Sequence, residues 1–373
     1  MRNITLLIKP ASGSCNLRCR YCFYEDETER RCVKNHGIMS ENTVAALLHN
    51  LFSCADEGAD IRLCFQGGEP TLAGLSFFEN FVSSVNALNT RHACVTYSIQ
   101  TNATLLTPAW CAFLASHHFL TGVSIDGTPE IHDRYRLDAQ GNVTYRNVRR
   151  NLLMLERSGV ETNLLCVVTN DLAQAPEEVY RALKALHVRH FQMIPCLDPM
   201  DGSVMPWSLS NDCYLSFLTT LFDLWFRDWQ RKNYYSIRMF EDLVFMDMGE
   251  MPSACAACGQ CGASLVIEAD GSVYPCDFYC TDAFMLGSVH NASLADLFRS
   301  SAMQSFRRKN GLVLSQCRTC AYEALCHGGC QRDWLLHSGE PRNRYCEVLQ
   351  RFLEKAYPRI HEIVLAERAA REN

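Results

Sequence analysis

The feature that most constrains this chain is its cysteine content, 21 of 373 residues. The first ten residues, MRNITLLIKP, have neither the apolar stretch nor the small-residue cleavage site of a signal peptide. We therefore expect a cytoplasmic protein, in which thiols stay reduced and structural disulfides are rare. Cysteines that cluster at ligand spacing in such a protein indicate a metal site.

The first cluster of cysteines has the pattern C-x3-C-x2-C and follows the first predicted strand. Its members are Cys15, Cys19 and Cys22. Three thiolates can hold three irons of a [4Fe–4S] cluster, which leaves the fourth iron open for another ligand. Zinc fits the same pattern if a fourth protein ligand is recruited, and Cys32 and His36 are available for that role. The spacing by itself leaves both metals open.

A second group of cysteines begins at residue 255, in a Gly-rich segment with little room for an apolar core. Eight of them are enough for two clusters with four protein ligands each: Cys255, Cys261, Cys276, Cys317, Cys320, Cys326, Cys330 and Cys346. Small domains of this kind usually need a metal to fold. Paired C-x2-C units are also typical of zinc ribbons, so zinc is again the alternative. Cys258 is an alternative ligand to Cys255, and Cys280 has no place in the pattern.

Short β-rich runs alternate with amphipathic helical runs from residue 1 to about 200. The predicted strands are Thr5–Ile8, Ile61–Phe65, Val95–Ile99, Gly122–Ile125, Thr162–Val168 and His190–Ile194. The predicted helices are Ser40–Phe52, Leu75–Asn89, Pro108–Ser116, Val143–Ser158 and Pro176–Ala185. Such alternation favours parallel strands joined by crossover helices, with the chemistry at the carboxyl ends of the strands.

We therefore expect an α/β fold, a partial (β/α)6 barrel that resembles a TIM barrel, followed by a Cys-rich domain. The predicted divisions are a barrel over 1–200, a helical connection over 201–254, a cluster-binding domain over 255–350 and a C-terminal helix over 351–373. The connection contains an aromatic-rich helix predicted over Asn211–Lys232.

Two further motifs give the chain a resemblance to the radical S-adenosylmethionine (SAM) superfamily. Gly67-Gly68-Glu69-Pro70 follows the Ile61–Phe65 strand, as the motif for the SAM amino group does in that family. The stretch Val123 to Gly127, followed by Arg136, is similar to a further SAM-contacting region, although Arg134 lies two residues away. The resemblance implies that a 5′-deoxyadenosyl radical forms from SAM. It places these residues against SAM: Tyr21, Gly67, Gly68, Glu69, Pro70, Ser124, Arg136 and Leu197.

The C-terminal cysteines resemble the SPASM extension of radical SAM maturases, which carries two auxiliary [4Fe–4S] clusters. By that resemblance the chain binds three [4Fe–4S] clusters, the first held by Cys15, Cys19 and Cys22. The ligands implied for the first auxiliary cluster are Cys255, Cys261, Cys276 and Cys330. Those implied for the second are Cys317, Cys320, Cys326 and Cys346.

Within that group the chain most resembles the anaerobic sulfatase-maturating enzymes. The matching strings include Leu7 to Ser12, Phe65 to Leu75 and Asp270 to Tyr279. The resemblance implies oxidation of a Cys or Ser residue of a sulfatase to Cα-formylglycine. The radical would remove a Cβ hydrogen, a base would take the thiol or hydroxyl proton, and an electron would leave toward an auxiliary cluster.

The base that is proposed for the family matches Asp277, which directly follows a predicted cluster ligand. An ordinary Asp has a pKa of ~3.9 and a Cys of ~8.5, so this transfer is uphill unless radical formation acidifies the thiol. Tyr24 and Gln66 lie beside the two SAM motifs and are predicted to contact the substrate.

Composition narrows the set of partners. The net charge of -6 argues against nucleic acid, and no apolar run approaches the ~20 residues that cross a bilayer. We expect a sulfatase peptide as substrate and a flavodoxin or ferredoxin as reductant. Two alternatives stay open: a maturase that crosslinks a ribosomal peptide, and an iron–sulfur electron carrier without catalysis.

Overall fold

The structure is a computed structural model that describes residues 1–259, 261–262, 264–310, 314–337 and 340–372. The described residues form two compact units. The first contains Met1–Ile125, His132–Asn163 and Gly262–Phe306. The second contains the remaining segments, residues 126–131, 164–261 and 307–372. The four domain divisions predicted from the sequence stay predictions.

The strands, in chain order, are β1 (Asn3–Ile8), β2 (Leu17–Cys19), β3 (Asp60–Phe65), β4 (Cys94–Thr101), β5 (Leu120–Ser124), β6 (Arg136–Asp138), β7 (Thr162–Val168), β8 (His190–Pro195), β9 (Ser236–Ile237), β10 (Leu265–Ile267), β11 (Ser272–Tyr274), β12 (Gly287–Ser288), β13 (Trp334–His337) and β14 (Glu340–Asn343).

The helices, in chain order, are α1 (Phe23–Glu29), α2 (Glu41–Cys54), α3 (Leu75–Leu88), α4 (Pro108–Ser116), α5 (Pro129–Tyr135), α6 (Tyr145–Arg157), α7 (Asn170–Ala173), α8 (Pro176–Lys184), α9 (Asn211–Gln230), α10 (Arg238–Met248), α11 (Leu294–Arg299), α12 (Ser301–Asn310), α13 (Glu323–Cys326) and α14 (Cys346–Glu372). Each strand and helix predicted over the first 232 residues is present within two residues of its predicted bounds.

The sheet of the first unit is parallel at its centre and antiparallel at one edge. Its strand order is β12-β11-β10-β1-β3-β4-β5. Strands β10, β1, β3, β4 and β5 run parallel, whereas β10, β11 and β12 are antiparallel to one another. The carboxyl ends of β1 and β3 therefore lie side by side, with Ile8 opposite Phe65. This edge of the sheet carries the residues described in the next section.

Local sequence explains the helices that cover this sheet. The hydroxyl of Ser40 accepts a hydrogen bond from the N–H of Thr43 and so caps α2. Along the same helix Val44, Leu47, Leu48 and Leu51 are buried at the i, i+3, i+4, i+7 spacing of an amphipathic helix. Helix α4 likewise starts from the side chain of a capping residue, Thr107, and a proline at its first position.

One expectation about the C-terminal half is wrong. The segment after Cys255 was expected to have little apolar core, yet β10 and β11 are buried along their whole length. The reason is that β10 pairs with β1, with Leu265 opposite Leu6, and so extends the core of the first unit.

In the second unit β7, β8 and β9 form a parallel set, and β13 and β14 form an antiparallel hairpin. The aromatic-rich helix α9 packs through buried Phe217, Phe222 and Trp225. Helix α14 begins at Cys346, five residues before the predicted start of the C-terminal helix. Among the described residues, no helix combines the length and the apolar character that crossing a bilayer requires.

Candidate active site

The Gly67–Pro70 loop packs directly on the backbone that leads into the first cysteine cluster. The N–H of Gly68 donates to the carbonyl of Ser12 at 3.0 Å, and the N–H of Glu69 donates to that of Ser14 at 2.7 Å. A Cβ atom on Gly68 would lie 2.0 Å from the Ser14 carbonyl oxygen. Real Cβ atoms do not approach backbone so closely, and therefore only glycine fits at this position. Pro70, which follows, is buried at the start of a 3-10 turn.

Cys15 lies before strand β2, Cys19 is its last residue and Cys22 is the N-cap residue of α1, and this segment is called the cysteine turn below. The N–H of Cys22 donates to the carbonyl of Cys19 at 3.0 Å, and the three side chains are half-buried. Burial raises the pKa of Cys15 to about 11, and the nearby Cys22 contributes to the rise. Thiols held close together in this way become thiolates once a metal centre binds them. The donor set fits an iron–sulfur cluster.

Arg136 is placed beside this turn. Strand β6 pairs with β2 in antiparallel register, and Arg136 lies opposite Cys19. The guanidinium of Arg136 lies 5.4 Å from the ring centre of Tyr21, and its charge moderates the burial-driven rise in the pKa of Cys22. Ser124 is half-buried at the carboxyl end of β5 in the same unit. Leu197 belongs to the second unit, where it is half-buried after β8.

Glu69 is almost completely buried, and its carboxylate organises the ends of two strands. Its Oε1 accepts hydrogen bonds from the N–H and the hydroxyl of Thr71 and from the hydroxyl of Thr101, over 2.6 to 3.0 Å. Its Oε2 accepts one from the N–H of Asn102 at 2.7 Å. Asn102 in turn donates to the side chain of Asn16, one residue after Cys15. The carboxylate thus connects the Gly67–Pro70 loop to the cysteine turn.

Asp277 is half-buried in a cage made by Tyr24 of α1, Gln66 of the loop after β3 and Lys9, which follows β1. The hydroxyl of Tyr24 and the amide of Gln66 both donate to its Oδ2 at 2.6 Å. The ammonium of Lys9 lies 3.0 Å from its Oδ1. Among the described residues no donor is aligned for a hydrogen bond to Oδ1, although this atom is buried. Three sequence-predicted residues are thus brought together, with an unforeseen lysine beside them.

Cys276 and Cys280 flank this aspartate in the first unit. Cys276 precedes the 3-10 turn that starts at Asp277. Cys280 is fully buried against Val266 and Tyr274, and its thiol donates to the carbonyl of Cys276 at 3.5 Å. Burial raises the pKa of Cys280 far above that of an ordinary thiol. These contacts give Cys280 a structural role in the turn.

A cavity in the second unit is lined by four predicted cluster ligands. They are Cys317, Cys320, Cys326 and Cys346. Burial raises the pKa of Cys326 to about 11, and the other three thiols add to this rise. Among the described residues, no three Cys, His, Asp or Glu side chains lie at the spacing of a single metal ion. The ligands of a [4Fe–4S] cluster surround four irons and stand farther apart.

Three further cysteines of the second unit act on one another electrostatically. Cys255 and Cys261 both contribute to the burial-driven rise in the pKa of Cys330. Cys258 differs from them, because its thiol donates to the backbone carbonyls of Pro252 and Ala254 at 3.6 and 3.4 Å. This geometry supports Cys255 over Cys258 as a ligand.

Comparisons with known proteins agree on one family. The model of the radical SAM superfamily matches residues 10–191, and that of SPASM, an iron–sulfur cluster-binding domain, matches residues 255–321. The cysteine-type anaerobic sulfatase-maturating enzyme of Clostridium novyi (strain NT) is 39% identical, over 95% of this chain and 96% of its own. The serine-type enzyme of Klebsiella aerogenes is 30% identical, over 93% and 84%. The solved structure of native anSMEcpe with bound AdoMet and Cp18Cys peptide has a TM-score of 0.92 and 36% identity, covering 98% of this chain and 99% of that one.

The chain belongs to the anaerobic sulfatase-maturating enzymes.

Membership of the sulfatase-maturating enzymes confirms several expectations at once. The fold is the α/β partial barrel of the radical SAM superfamily with a C-terminal SPASM domain. The chain is a radical SAM enzyme, which removes the electron-carrier alternative. Its cofactors are SAM and [4Fe–4S] clusters, because both matched domains are those of iron–sulfur proteins of this class. Zinc, the other metal that the spacing left open, is not what these domains bind.

Two residues of this sulfatase-maturating enzyme were missed as functional candidates, Lys9 and Glu27. Each is about 1% exposed, and they face each other and Asp277. The sequence did contain a signal for Lys9. It directly follows a predicted strand and lies within the Leu7 to Ser12 string that matches the family, and a lysine in such a position is seldom buried without a partner. Glu27 offered no signal, since it occupies a short helix with other acidic residues.

Proposed function

We propose that this enzyme oxidises a cysteine residue of a sulfatase to Cα-formylglycine, with Asp277 as the base. The observation that carries the proposal is the asymmetry of the Asp277 carboxylate. Tyr24 and Gln66 hold Oδ2 through two short hydrogen bonds, whereas Oδ1 faces the Lys9 ammonium at 3.0 Å and accepts no aligned hydrogen bond from the described residues. A carboxylate oriented through one oxygen presents the other to a proton.

The proposed reaction is a two-electron oxidation in which the target cysteine loses a hydrogen atom, a proton and an electron. Bound SAM and the iron–sulfur clusters supply the one-electron chemistry: a 5′-deoxyadenosyl radical that takes the Cβ hydrogen atom, and an acceptor for the electron. Asp277 Oδ1 takes the thiol proton as the carbon–sulfur bond becomes double. Water then replaces sulfur, hydrogen sulfide leaves, and an aldehyde remains at Cβ.

The SAM-proximal residues have proposed roles that follow from their positions. Cys15, Cys19 and Cys22 would hold the cluster that binds SAM, and the glycines of the Gly67–Pro70 loop would admit its amino group. Among the described residues, Oε2 of Glu69 accepts only the hydrogen bond from Asn102 and so keeps a lone pair for an ammonium. Tyr21, Ser124, Arg136 and Leu197 are proposed to complete the SAM site.

Cysteine is favoured over serine as the target. Base strength supports this choice, because a thiol has a pKa of ~8.5 and is far more acidic than an alcohol. The sequence comparisons agree, since the cysteine-type relatives are 38 to 39% identical and the serine-type relatives 27 to 30%.

The C-terminal cysteines are proposed to hold two auxiliary clusters. Cys317, Cys320, Cys326 and Cys346 line one cavity, which supports them as one ligand set. Cys255, Cys261 and Cys330, together with Cys276, form the other proposed set. Reduced thiols are required for both, which supports a cytoplasmic location, and a flavodoxin or ferredoxin is the proposed reductant.

The test is an anaerobic assay of reconstituted enzyme with SAM, dithionite and a synthetic sulfatase peptide. The target residue is Cys, Ser or Ala, and both 5′-deoxyadenosine and peptide mass are measured. We expect aldehyde from the Cys peptide, less from the Ser peptide and none from the Ala peptide. A product that has lost two hydrogens and keeps its sulfur even after long incubation in water would instead indicate a crosslink, because a thioaldehyde hydrolyses, and would overturn the proposal.

Asp277→Asn tests the base within the same assay. The variant should still release 5′-deoxyadenosine but form at most about a hundredth of the aldehyde, the usual contribution of a general base. The matched control is Asp60→Asn, because Asp60 is exposed and its side chain forms no hydrogen bond or ion pair with the described residues. Aldehyde formation by Asp277→Asn at the rate of the control would remove Asp277 from the mechanism.

A further inference from the structure

We propose that Lys9 is a positioning residue for Asp277 and that Glu27 holds Lys9 in place. The inference rests on the proposed function, because it concerns the base of that reaction. Neither residue contacts the target in the proposed mechanism. Lys9 and Glu27 act through the carboxylate of Asp277, which does contact the target.

The path of the Lys9 side chain is fixed by its surroundings. Lys9 follows β1 directly, and its N–H donates to the carbonyl of Ile267 in β10 at 2.8 Å. A Cβ atom on Gly67 would lie 3.1 Å from both Cβ and Cγ of Lys9, and Gly67 has a φ of +120°. The lysine stem therefore packs on the backbone of the proposed SAM loop. The same contact explains why residue 67 has no side chain.

The ammonium of Lys9 lies between two carboxylates and over a ring. It is 3.0 Å from Oδ1 of Asp277 and 3.4 Å from Oε2 of Glu27. It also lies 4.5 Å from the centre of the Tyr24 ring, whose hydroxyl holds the other oxygen of Asp277. A buried ammonium costs several kcal/mol unless it is paired. Both carboxylates are needed to compensate it, so the three side chains form one unit.

Glu27 is anchored more firmly than a surface residue of a short helix would be. Its Oε1 accepts the N–H of Cys280 at 3.1 Å, and Arg31 lies 3.8 Å from Oε2. Arg31 itself pairs with Glu268 at 2.6 Å and donates to the carbonyl of Cys280. The chain of contacts therefore fixes Glu27 to the turn that carries the base.

As a consequence, both carboxylate oxygens of Asp277 are held in position by neighbouring side chains. Tyr24 and Gln66 fix Oδ2 by hydrogen bonds, and Lys9 attracts Oδ1 by charge without an aligned hydrogen bond. The carboxylate is thereby held in one rotamer while Oδ1 keeps a lone pair for the substrate. Loss of Lys9 frees the carboxylate to turn, and a displacement of about 1 Å costs on the order of 100-fold in rate.

The experiment compares Lys9→Met, Lys9→Arg and Glu27→Gln with wild type in the peptide assay. The principal readout is the coupling ratio, aldehyde formed per 5′-deoxyadenosine released. For Lys9→Met we expect SAM cleavage and the KM for peptide to stay near wild type, while the coupling ratio and kcat for aldehyde fall by roughly tenfold or more. Lys9→Arg should restore at least part of the ratio, because it keeps the charge.

The coupling ratio separates positioning from a merely structural role. A structural role would lower iron content, SAM cleavage and aldehyde together and leave the ratio unchanged. If Lys9→Met fails to fold, Glu27→Gln decides: its coupling ratio should also fall, because Lys9 loses the carboxylate that holds it, and an unchanged ratio overturns the inference. If wild type releases 5′-deoxyadenosine but forms no aldehyde, the proposed function itself is wrong. If wild type forms aldehyde and Lys9→Met has the same coupling ratio as wild type, only the inference about Lys9 is wrong.

Discussion

The carboxylate of Glu69 accepts a hydrogen bond from the backbone N–H of Asn102 at 2.7 Å. Glu69 belongs to the loop after β3, and Asn102 follows the carboxyl end of β4. The bond makes the alignment of two neighbouring strand ends depend on one buried charge. Asn102 also contacts Asn16, so the alignment extends to the cysteine turn.

Glu69→Gln should therefore weaken SAM binding in two ways: the proposed contact with SAM is lost, and the strand ends that Glu69 aligns are disturbed. The amide replaces an acceptor by a donor, which would face either the N–H of Asn102 or the hydroxyls of Thr71 and Thr101. Hydrogen bonds to a charged group contribute about 1.5 to 3 kcal/mol, so SAM affinity should fall by at least about tenfold. Equilibrium dialysis with reconstituted protein measures the affinity.

The matched control for this change is Glu57→Gln. Glu57 is exposed, its side chain forms no hydrogen bond or ion pair with the described residues, and its variant should bind SAM as wild type does. Equal SAM affinity of the Glu69 variant and the Glu57 variant would mean that the buried carboxylate has no part in the site.

Gly68→Ala should prevent assembly of the first cluster. The added Cβ would lie 2.0 Å from the Ser14 carbonyl oxygen, so either the loop or the backbone before Cys15 has to move. Anaerobically reconstituted variant should contain about four fewer irons per chain, because one [4Fe–4S] cluster is lost. Iron and sulfide analysis gives the count.

Gly58→Ala tests whether any alanine at a glycine has this effect. A Cβ on Gly58 would meet nothing within 4 Å, although its φ of +65° costs about 1 kcal/mol. This control should keep the full iron content. Full iron content in Gly68→Ala as well would show that the loop tolerates the displacement.

The elements that sequence predicted well are those whose pattern is local. Helix α4 was predicted at its observed bounds because Thr107 and Pro108 mark its start by themselves. The Asp277 cage was predicted only in part. Its members are far apart in sequence, and the pairing of β10 with β1 brings the segment of Asp277 beside Lys9. No local sequence pattern predicts the pairing of β10 with β1. The nearby cysteines instead led us to expect that a metal, and not a strand, organises this segment.

Glu27→Gln should change how the stability of the protein depends on pH. Burial, and after it the negative charge of Asp277, raises the pKa of Glu27 to about 7, while Lys9 lowers it. The unfolded value is ~4.3, so the folded state binds more protons between these values and wild type loses stability as pH rises through them. The loss is at most about 4 kcal/mol and levels off above about pH 8.

A glutamine at residue 27 cannot ionise, and the variant should lack this part of the pH dependence. The measurement is the midpoint of urea unfolding at several values between about pH 5 and pH 8, with m held constant. Wild type and the Glu57→Gln control should both decline more steeply than Glu27→Gln. Parallel curves for all three proteins would show that Glu27 does not titrate in this range.

The last prediction concerns the choice between Cys255 and Cys258. Cys258 donates its thiol to two backbone carbonyls, whereas the exposed Cys255 makes no such bond within the described part of the chain, although it acts electrostatically on Cys258, Cys261 and Cys330 alike. The backbone before Cys255 is held for this purpose by Asp242, which accepts the N–H groups of Ser253 and Ala254 at 2.6 and 3.1 Å. Cys255→Ser should therefore lose about four irons per chain and Cys258→Ser none, by iron analysis and Mössbauer spectroscopy. The two serine variants are matched in chemistry and differ only in position, so the reverse result would transfer the ligand role to Cys258.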